Sequence, residues 1–264
     1  MKAAALIAAL LVSTPALAQD EPRFCPNRPD LGASGCTVAP GHVLVEWSAL
    51  DWHRDDTPDE LEDTFLAADL LARFGVGRAT ELQIGWSPAG RVRSRDSLTG
   101  EIEDVHGADD LRVAVRQALG PPDAQGWSLA IEPYVIAPVG KQPIGAGGWE
   151  LGMVVPATYD VTDRWQAALT TTLTAKPNEQ GSGRHFNASV TTGLGYQLSK
   201  QVTFVGELAV EQDDDPARHT TRFAGAASIA WQPTKRFQLD LLAVAGLNRN
   251  TPDVRVVTGG AILF

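Results

Sequence analysis

The sequence predicts an all-β fold: a transmembrane antiparallel up-and-down β-barrel of about twelve strands. Three observations predict it. From residue 42 onward, segments of roughly ten residues alternate apolar and polar side chains, which is typical of strands with two unlike faces. The connections between these segments alternate between short and long. Aromatic residues lie near one end of the segments, whereas a soluble core would have them at the segment centres.

The alternation is clearest late in the chain. Between Val202 and Glu211, one face is almost entirely apolar, whereas the other face carries Glu207 and Glu211. An even number of strands allows such a sheet to close, and closure is required because lipid offers no partners to an open edge. The predicted strands are 42–52, 64–74, 79–87, 110–119, 127–137, 148–159, 165–175, 185–197, 202–212, 220–231, 237–246 and 253–264.

Composition agrees with a barrel. The chain has 264 residues, of which 44% are hydrophobic, so it is too apolar for disorder. Its net charge of −10 argues against a nucleic-acid partner, because there is no basic excess to neutralise phosphates. Mean hydropathy is −0.10, and beyond the first residues no apolar run approaches the roughly 18 residues of a membrane helix. In a barrel strand every second side chain faces the polar lumen, so a mean hydropathy near zero is expected.

The rhythm of the connections predicts an orientation. Tight turns face the periplasm in outer-membrane barrels, and longer loops face outside. We expect the loop 88–109 to form an outer constriction. The short connections are 75–78, 119–126, 160–164, 198–201 and 232–236, and the longer ones are 53–63, 88–109, 138–147, 176–184, 213–219 and 247–252.

The aromatic residues near the short turns predict an interfacial girdle, because amphipathic rings settle at lipid headgroups. In the last segment, Ile262 and Phe264 share one face. A C-terminal aromatic strand of this kind resembles the signal that the barrel assembly machinery recognises. The girdle residues are Phe74, Trp127, Tyr159, Trp165, Tyr196, Phe204, Trp231, Phe237 and Phe264.

The N-terminus predicts export. Met1-Lys2 is followed by an apolar stretch and by Ala16-Leu17-Ala18, which indicates a signal peptide over 1–18 and an outer-membrane location in a Gram-negative bacterium. Residues 19–41 then form a periplasmic segment, and 42–264 form the barrel. Cys25 and Cys36 favour a disulfide over a metal or redox role, because no partner ligands or CxxC spacing accompany them. This segment is a candidate plug for the barrel.

The polar stripe of the strands is expected to line the lumen with eight acids and five arginines. Two interpretations stay open: the charges pair and hold the barrel rigid, or they form a pathway that orients solutes and weakly favours cations. The predicted lumen residues are Glu46, Asp69, Arg73, Glu81, Arg112, Arg116, Glu132, Glu150, Glu207, Glu211, Arg222, Asp240 and Arg255.

The sequence gives only weak indications of catalysis or of metal binding. Neither catalytic residues nor metal or cofactor sites are therefore predicted. His185, Asn187 and Ser189 suggest a hydrolase, since one outer-membrane phospholipase type is also a twelve-stranded barrel, but a GxSxG motif is missing. The acidic runs 55–63 and 213–215 fit solvated outer loops, with divalent-cation binding near lipopolysaccharide as the alternative.

An ordered series of short motifs resembles the MetA-pathway-of-phenol-degradation family of outer-membrane proteins, often called transporters. The resemblance covers most of the chain after residue 28, and it departs from the family at Trp86-Ser87-Pro88 and in the polar loop that follows. It implies an outer-membrane channel or uptake protein. The matching stretches are Arg28-Pro29-Asp30, Pro40-Gly41-His42, Phe74-Gly75-Val76, Glu81-Leu82, 107–111, 148–165, 195–198, 238–248 and 252–264.

We therefore predict a non-enzymatic channel for passive passage of small molecules, hydrophobic or aromatic compounds among them. Two other hypotheses stay open: a structural or surface-interaction barrel without transport, and an outer-membrane hydrolase. The expected partners are outer-membrane lipid, lipopolysaccharide, the barrel assembly machinery and an unidentified small solute. Neither a cofactor nor a nucleic acid is expected.

Overall fold

A computed structural model describes residues 22–180 and 182–264. The predicted signal peptide and residues 19–21 lie outside the described residues. Within the described part of the chain, no helix is long and apolar enough to cross a membrane.

The described residues form one antiparallel sheet of fifteen strands. Their bounds are β1 Val43–Asp56, β2 Glu60–Ala67, β3 Asp69–Gly75, β4 Thr80–Trp86, β5 Ala89–Asp96, β6 Ile102–Gly107, β7 Leu111–Ala118, β8 Trp127–Ala137, β9 Glu150–Asp160, β10 Trp165–Pro177, β11 Arg184–Gln197, β12 Val202–Asp215, β13 Arg218–Thr234, β14 Phe237–Gly246 and β15 Val254–Leu263.

Twelve of these strands close into a barrel. β1 pairs with β3 on one side and with β15 on the other, where Leu44 faces Leu263. The ring then runs through β4 and β7 to β14 in chain order. This confirms the predicted twelve-stranded antiparallel barrel, and each predicted segment overlaps one strand of the ring. The predicted strand 64–74 is divided, because β2 ends at Ala67 and β3 begins at Asp69.

The remaining three strands correct the prediction that 53–63 and 88–109 are loops. β2 pairs with the distal half of β1, β5 pairs with β2, and β6 pairs with β5, so the barrel wall continues as a four-stranded sheet. Arg91, Arg93 and Arg95 alternate with Val92 and Ser94 in β5. Because neither face of β5 is apolar throughout, its sequence has the composition of a loop. The expected outer constriction is therefore a wall extension.

The barrel buries polar side chains and exposes apolar ones. Its largest fully buried side chains include Arg73, Arg116 and Glu46, all on the inner face. Leu169, Leu208 and many other large apolar side chains are exposed on the outer face. This reversal of a soluble core is expected where lipid is the outer solvent.

Two aromatic rims border the outer apolar band. At the short-turn end, the rings of Trp165 and Tyr196 lie 4.5 Å apart between centroids. A second rim at the opposite end, hereafter the long-loop end, has exposed rings of Trp149, Phe186 and Phe223 that the sequence reading missed. Tyr196 and Phe186 are ten residues apart on β11, which at about 3.3 Å per residue and about 40° tilt spans about 25 Å. This is the height of the apolar band in membrane barrels.

Candidate functional site

An N-terminal segment occupies the short-turn half of the lumen. Residues 22–42, hereafter the plug, form no strand and enter the barrel ahead of β1. A disulfide joins Cys25 to Cys36, with the sulfur atoms 2.09 Å apart. Cys36 and Val38 are fully or almost fully buried, so this part of the plug packs inside the wall.

Wall carboxylates hold the main chain of the plug. Glu46 accepts hydrogen bonds from the backbone N–H groups of Asn27 and Arg28, at 3.0 and 3.1 Å. Glu207 accepts two more from Leu31 and Gly32, at 2.7 and 3.0 Å. Buried backbone donors need partners, and a segment outside any sheet must find them in side chains. These carboxylates supply them without any strand pairing.

Glu81 holds the segment after the disulfide loop. Its carboxylate accepts a hydrogen bond of 2.7 Å from the backbone N–H of Val38. Thr170 accepts from Ala33 and Ser128 accepts from Gly35, at 2.9 and 3.2 Å. The plug is thus attached to strands on several sides of the barrel.

Side chains of the plug also bind the wall. Arg28 donates to Asp240 at 2.8 Å and to Ser48 at 2.7 Å. Asp30 accepts a hydrogen bond of 3.0 Å from Ser228. Burial, the neighbouring carboxylate of Glu207 and that of Asp240 raise the pKa of Asp30 from 3.8 to about 7. The plug therefore carries a carboxyl group that titrates near neutral pH.

A buried charge network joins the plug to β1, β3, β4, β7 and β8. Arg73 donates to Glu81 at 2.9 Å and to Glu46 at 3.0 Å, and its side chain is completely buried. Arg116 is equally buried and binds Glu132, which also accepts from Arg112 at 2.6 Å. Acids and arginines alternate along this network, so each charge has an opposite neighbour.

The same arginines contact the plug. Arg73 donates to the carbonyl oxygens of Cys25 and Cys36, at 2.7 and 3.2 Å. Arg116 donates to Asn27 and to the carbonyl of Ser34, at 3.0 and 2.7 Å. Sequence reasoning missed the plug residues as partners, because nothing in their spacing indicates which wall strand they reach.

The structure places all thirteen predicted lumen side chains on the inner face, but it divides them into separate groups. Glu46, Arg73, Glu81, Arg112, Arg116 and Glu132 form the network above, and Glu207 and Asp240 bind the plug. The other five lie nearer the long-loop end. Arg222 binds Glu211 at 2.7 Å, Arg255 binds Asp51, and Asp69 accepts from Ser87 at 2.7 Å. Glu150 lines a cavity.

Two cavities lie between the plug and the long-loop end. The larger, hereafter the main cavity, has a volume of about 560 Å³ and the smaller about 330 Å³. Leu31 at the tip of the plug lines both. Each cavity therefore ends on the plug. A further cavity of about 690 Å³ lies on the short-turn side and is bordered by Asp30 of the plug.

His185 and Ser189, two of the residues that suggested the hydrolase alternative, are not brought together. His185 contacts Asp213 and Asp215 at 2.9 and 3.1 Å. Ser189 is four residues further along β11, about 13 Å away at 3.3 Å per residue. A nucleophile and its base must be within hydrogen-bond reach. His185 instead belongs to a polar cluster at the long-loop end of β12, where Asp215 also accepts hydrogen bonds from the backbone N–H groups of Glu179 and Ala217, at 2.8 and 2.7 Å.

No group of three or more potential metal ligands occurs among residues 22–180 and 182–264. In the acidic run 213–215, Asp213 and Asp215 contact His185 and Asp214 contacts His219 at 3.6 Å. In the other run, Asp63 binds Arg54.

A closed barrel with an apolar outer band, two aromatic rims and a polar lumen defines the class of transmembrane β-barrel proteins. Within that class, the chain belongs to the family described as "Putative MetA-pathway of phenol degradation", whose model matches residues 26–264. The family resemblance seen in the sequence is thereby confirmed. A comparison with curated proteins found no match.

Solved structures of membrane barrels share the fold. The NanC porin is similar with a TM-score of 0.52 at 11% identity, over 84% of this chain and 99% of that one. The translocator domain of the autotransporter NalP from Neisseria meningitidis also has a TM-score of 0.52 at 11% identity, over 85% of this chain and 88% of that one. At this identity the likeness concerns the fold.

Proposed function

We propose that the protein is an outer-membrane channel of a Gram-negative bacterium, through which small molecules pass passively when the plug shifts. The observation that carries this proposal is the arrangement of the lumen. Cavities of about 560 and 330 Å³ end on a segment that is not part of the sheet. Movement of that segment breaks no strand pairing, so the barrel stays closed to lipid while the lumen opens.

The size and lining of the main cavity support small solutes of mixed polarity. Leu71, Ile136 and Val154 provide apolar surface, and Arg112 and Glu150 provide polar surface. The family description refers to phenol degradation. Aromatic compounds are therefore proposed among the solutes.

Proteoliposome swelling tests the channel. Purified full-length protein should admit a pentose faster than protein-free liposomes do, and should exclude a long oligosaccharide. Variants with a weakened plug should admit the pentose faster than the unmodified protein. Absence of flux in both the unmodified protein and the weakened-plug variants would contradict the proposal.

A structural barrel without transport is the second candidate, and the buried charge network favours it. Arg73 and Arg116 fix the plug and five strands together. A purely structural barrel predicts high resistance to heat and no flux in any variant. The swelling experiment therefore distinguishes the two candidates.

We further propose that the barrel assembly machinery recognises the last strand, and that lipid and lipopolysaccharide contact the outer face. Ile262 pairs with Val45 on the seam of the barrel, and the backbone N–H of Phe264 donates to Val43 at 2.8 Å. The ring of Phe264 is exposed, so it remains available for recognition. A Phe264→Ala variant should reach the membrane in smaller amounts than the unmodified protein, as measured by heat-modifiable migration.

A further inference from the structure

The main cavity has an excess of acidic side chains. Five carboxylates and two guanidiniums line it, and both guanidiniums already bind one of the carboxylates, Glu132. Among the described residues, the other four form no ion pair within 4.0 Å; they are Asp69, Asp109, Asp110 and Glu150. Negative potential therefore accumulates around the cavity.

Three of these four carboxylates have hydrogen-bond donors in the wall. Asp69 accepts from Ser87, and Asp110 accepts from the backbone N–H groups of Gly140 and Ala146, both at 2.8 Å. Asp109 accepts from the backbone N–H of Asp110. Burial and the carboxylates of Asp110 and Asp69 raise the pKa of Asp109, which is a consequence of the same crowding.

Glu150 differs from the other three. Only 9% of its surface is exposed, and its carboxylate has no hydrogen bond and no ion pair within 4.0 Å with any residue that the structure describes. Lys176 and His185 are the cationic side chains whose charges act on it from a greater distance. A buried carboxylate normally has a partner, because desolvation of an unpaired charge costs free energy. Glu150 borders the cavity, so a ligand there is the partner that would compensate it.

Apolar side chains form another part of the same lining. Leu71, Ile136 and Val154 come from barrel strands, and Ile144 comes from the segment between β8 and β9. An apolar cavity with a few convergent polar groups is the usual form of a small-molecule site. The combination suits a ligand with one positive charge and an apolar body.

We propose that the main cavity binds small organic ammonium ions, with Glu150 as the partner of the ammonium group. The inference rests on the proposed channel function, because it names a class of solute that the lumen would accept. The apolar body packs against Leu71, Ile136 and Val154, and the neighbouring acids strengthen the preference for a cation.

Isothermal titration of the purified full-length protein in detergent tests the site with three probes of similar shape. Benzylamine is cationic at pH 7, benzyl alcohol is neutral, and benzoate is anionic. Benzylamine should bind at least about tenfold more tightly than the other two, since hydrogen bonds to charged groups are the strong ones. Equal affinities for the three probes would overturn the proposal, and this comparison needs no variant.

Glu150→Gln tests the partner. This variant keeps the volume and removes the charge, so benzylamine affinity should fall about tenfold while benzyl alcohol affinity stays unchanged. The matched control is Glu101→Gln in the exposed turn between β5 and β6, where no change is expected. If Glu150→Gln shows reduced folding by heat-modifiable migration, Asp69→Asn replaces it, with a smaller expected loss. Unchanged benzylamine affinity in a folded Glu150→Gln variant would overturn the assignment.

Conductance measurements on the same preparations distinguish failure of the proposed ammonium site from failure of the proposed channel. Protein that conducts but binds the three probes alike overturns the ammonium site and leaves the channel in place. Protein that binds benzylamine selectively but never conducts supports the site and contradicts the channel.

Discussion

Arg28 in the plug lies 2.8 Å from Asp240 in the barrel wall, and the Asp240 side chain is completely buried. Asp240→Asn leaves the Arg28 guanidinium without its ionic partner, a loss that costs about 3–5 kcal/mol for buried pairs. We expect the plug to dock less tightly and the channel to be open more often in planar bilayers.

The double variant Arg28→Leu/Asp240→Leu is the control for this pair. It removes both charges together, and replacement of an ion pair by apolar side chains is often nearly neutral. Its open fraction should lie much closer to that of the unmodified protein. Equal open fractions in the single and double variants would show that the charge pair does not hold the plug.

Channel opening should increase with pH, because Asp30 has a pKa of about 7 in the docked plug and an ordinary value of 3.8. The docked plug binds the proton more tightly than the released plug does. The stabilisation of docking is therefore complete below about pH 4 and is lost as pH rises to about 7. The open fraction should be higher at pH 8 than at pH 5 in bilayer recordings.

Asp30→Asn is the control for the pH dependence. The amide does not titrate, so the difference in open fraction between pH 5 and pH 8 should largely disappear. A pH response that persists unchanged in Asp30→Asn would assign the titration to another group.

Arg73→Met should destabilise the barrel strongly. Arg73 is fully buried between Glu46 and Glu81, so its removal leaves two buried carboxylates without their main partner, at a cost of about 3–5 kcal/mol. The temperature of the heat-modifiable transition should fall. Arg91→Met is the matched control, since its pair with Asp104 is exposed and its loss should change the transition little.

An added charge should destabilise the barrel more on its outer face than on its inner face. Leu169 is exposed on the outer face of β10, near the middle of the apolar band, and Thr172 lines the main cavity on the same strand. Leu169→Arg should lower the free energy of unfolding in lipid by about 2–4 kcal/mol. Thr172→Arg should lower it less, because its guanidinium can reach cavity carboxylates. A similar loss in both variants would contradict the assignment of the two faces.

The ring of twelve strands was predictable from sequence because each strand repeats the same two-sided alternation. β5 was not, because Arg91, Arg93 and Arg95 give its outer positions the composition of a solvated loop. The second aromatic rim became visible only through pairing register, which aligns Phe186 with Ala175 and Phe223 with Val210.

The inner face of the site was predictable in part. Alternation identified Glu207 as an inner residue, but its partners are the backbone N–H groups of Leu31 and Gly32, which any residue carries. The residue types at these positions therefore do not indicate that contact. The unpaired state of Glu150 likewise depends on the whole surroundings of its carboxylate.

Solutes pass through this channel only when the plug moves, and a reversible cross-link between plug and wall is the test of that movement. A Cβ atom at Gly32 would lie 3.6 Å from the Cβ of Thr170, within the range that a disulfide bridges. In single-channel recordings, the oxidised Gly32→Cys/Thr170→Cys protein should stay closed. After treatment with reductant, its conductance should equal that of the unmodified protein treated in the same way. Conductance of the cross-linked protein equal to that of the unmodified protein would contradict the account.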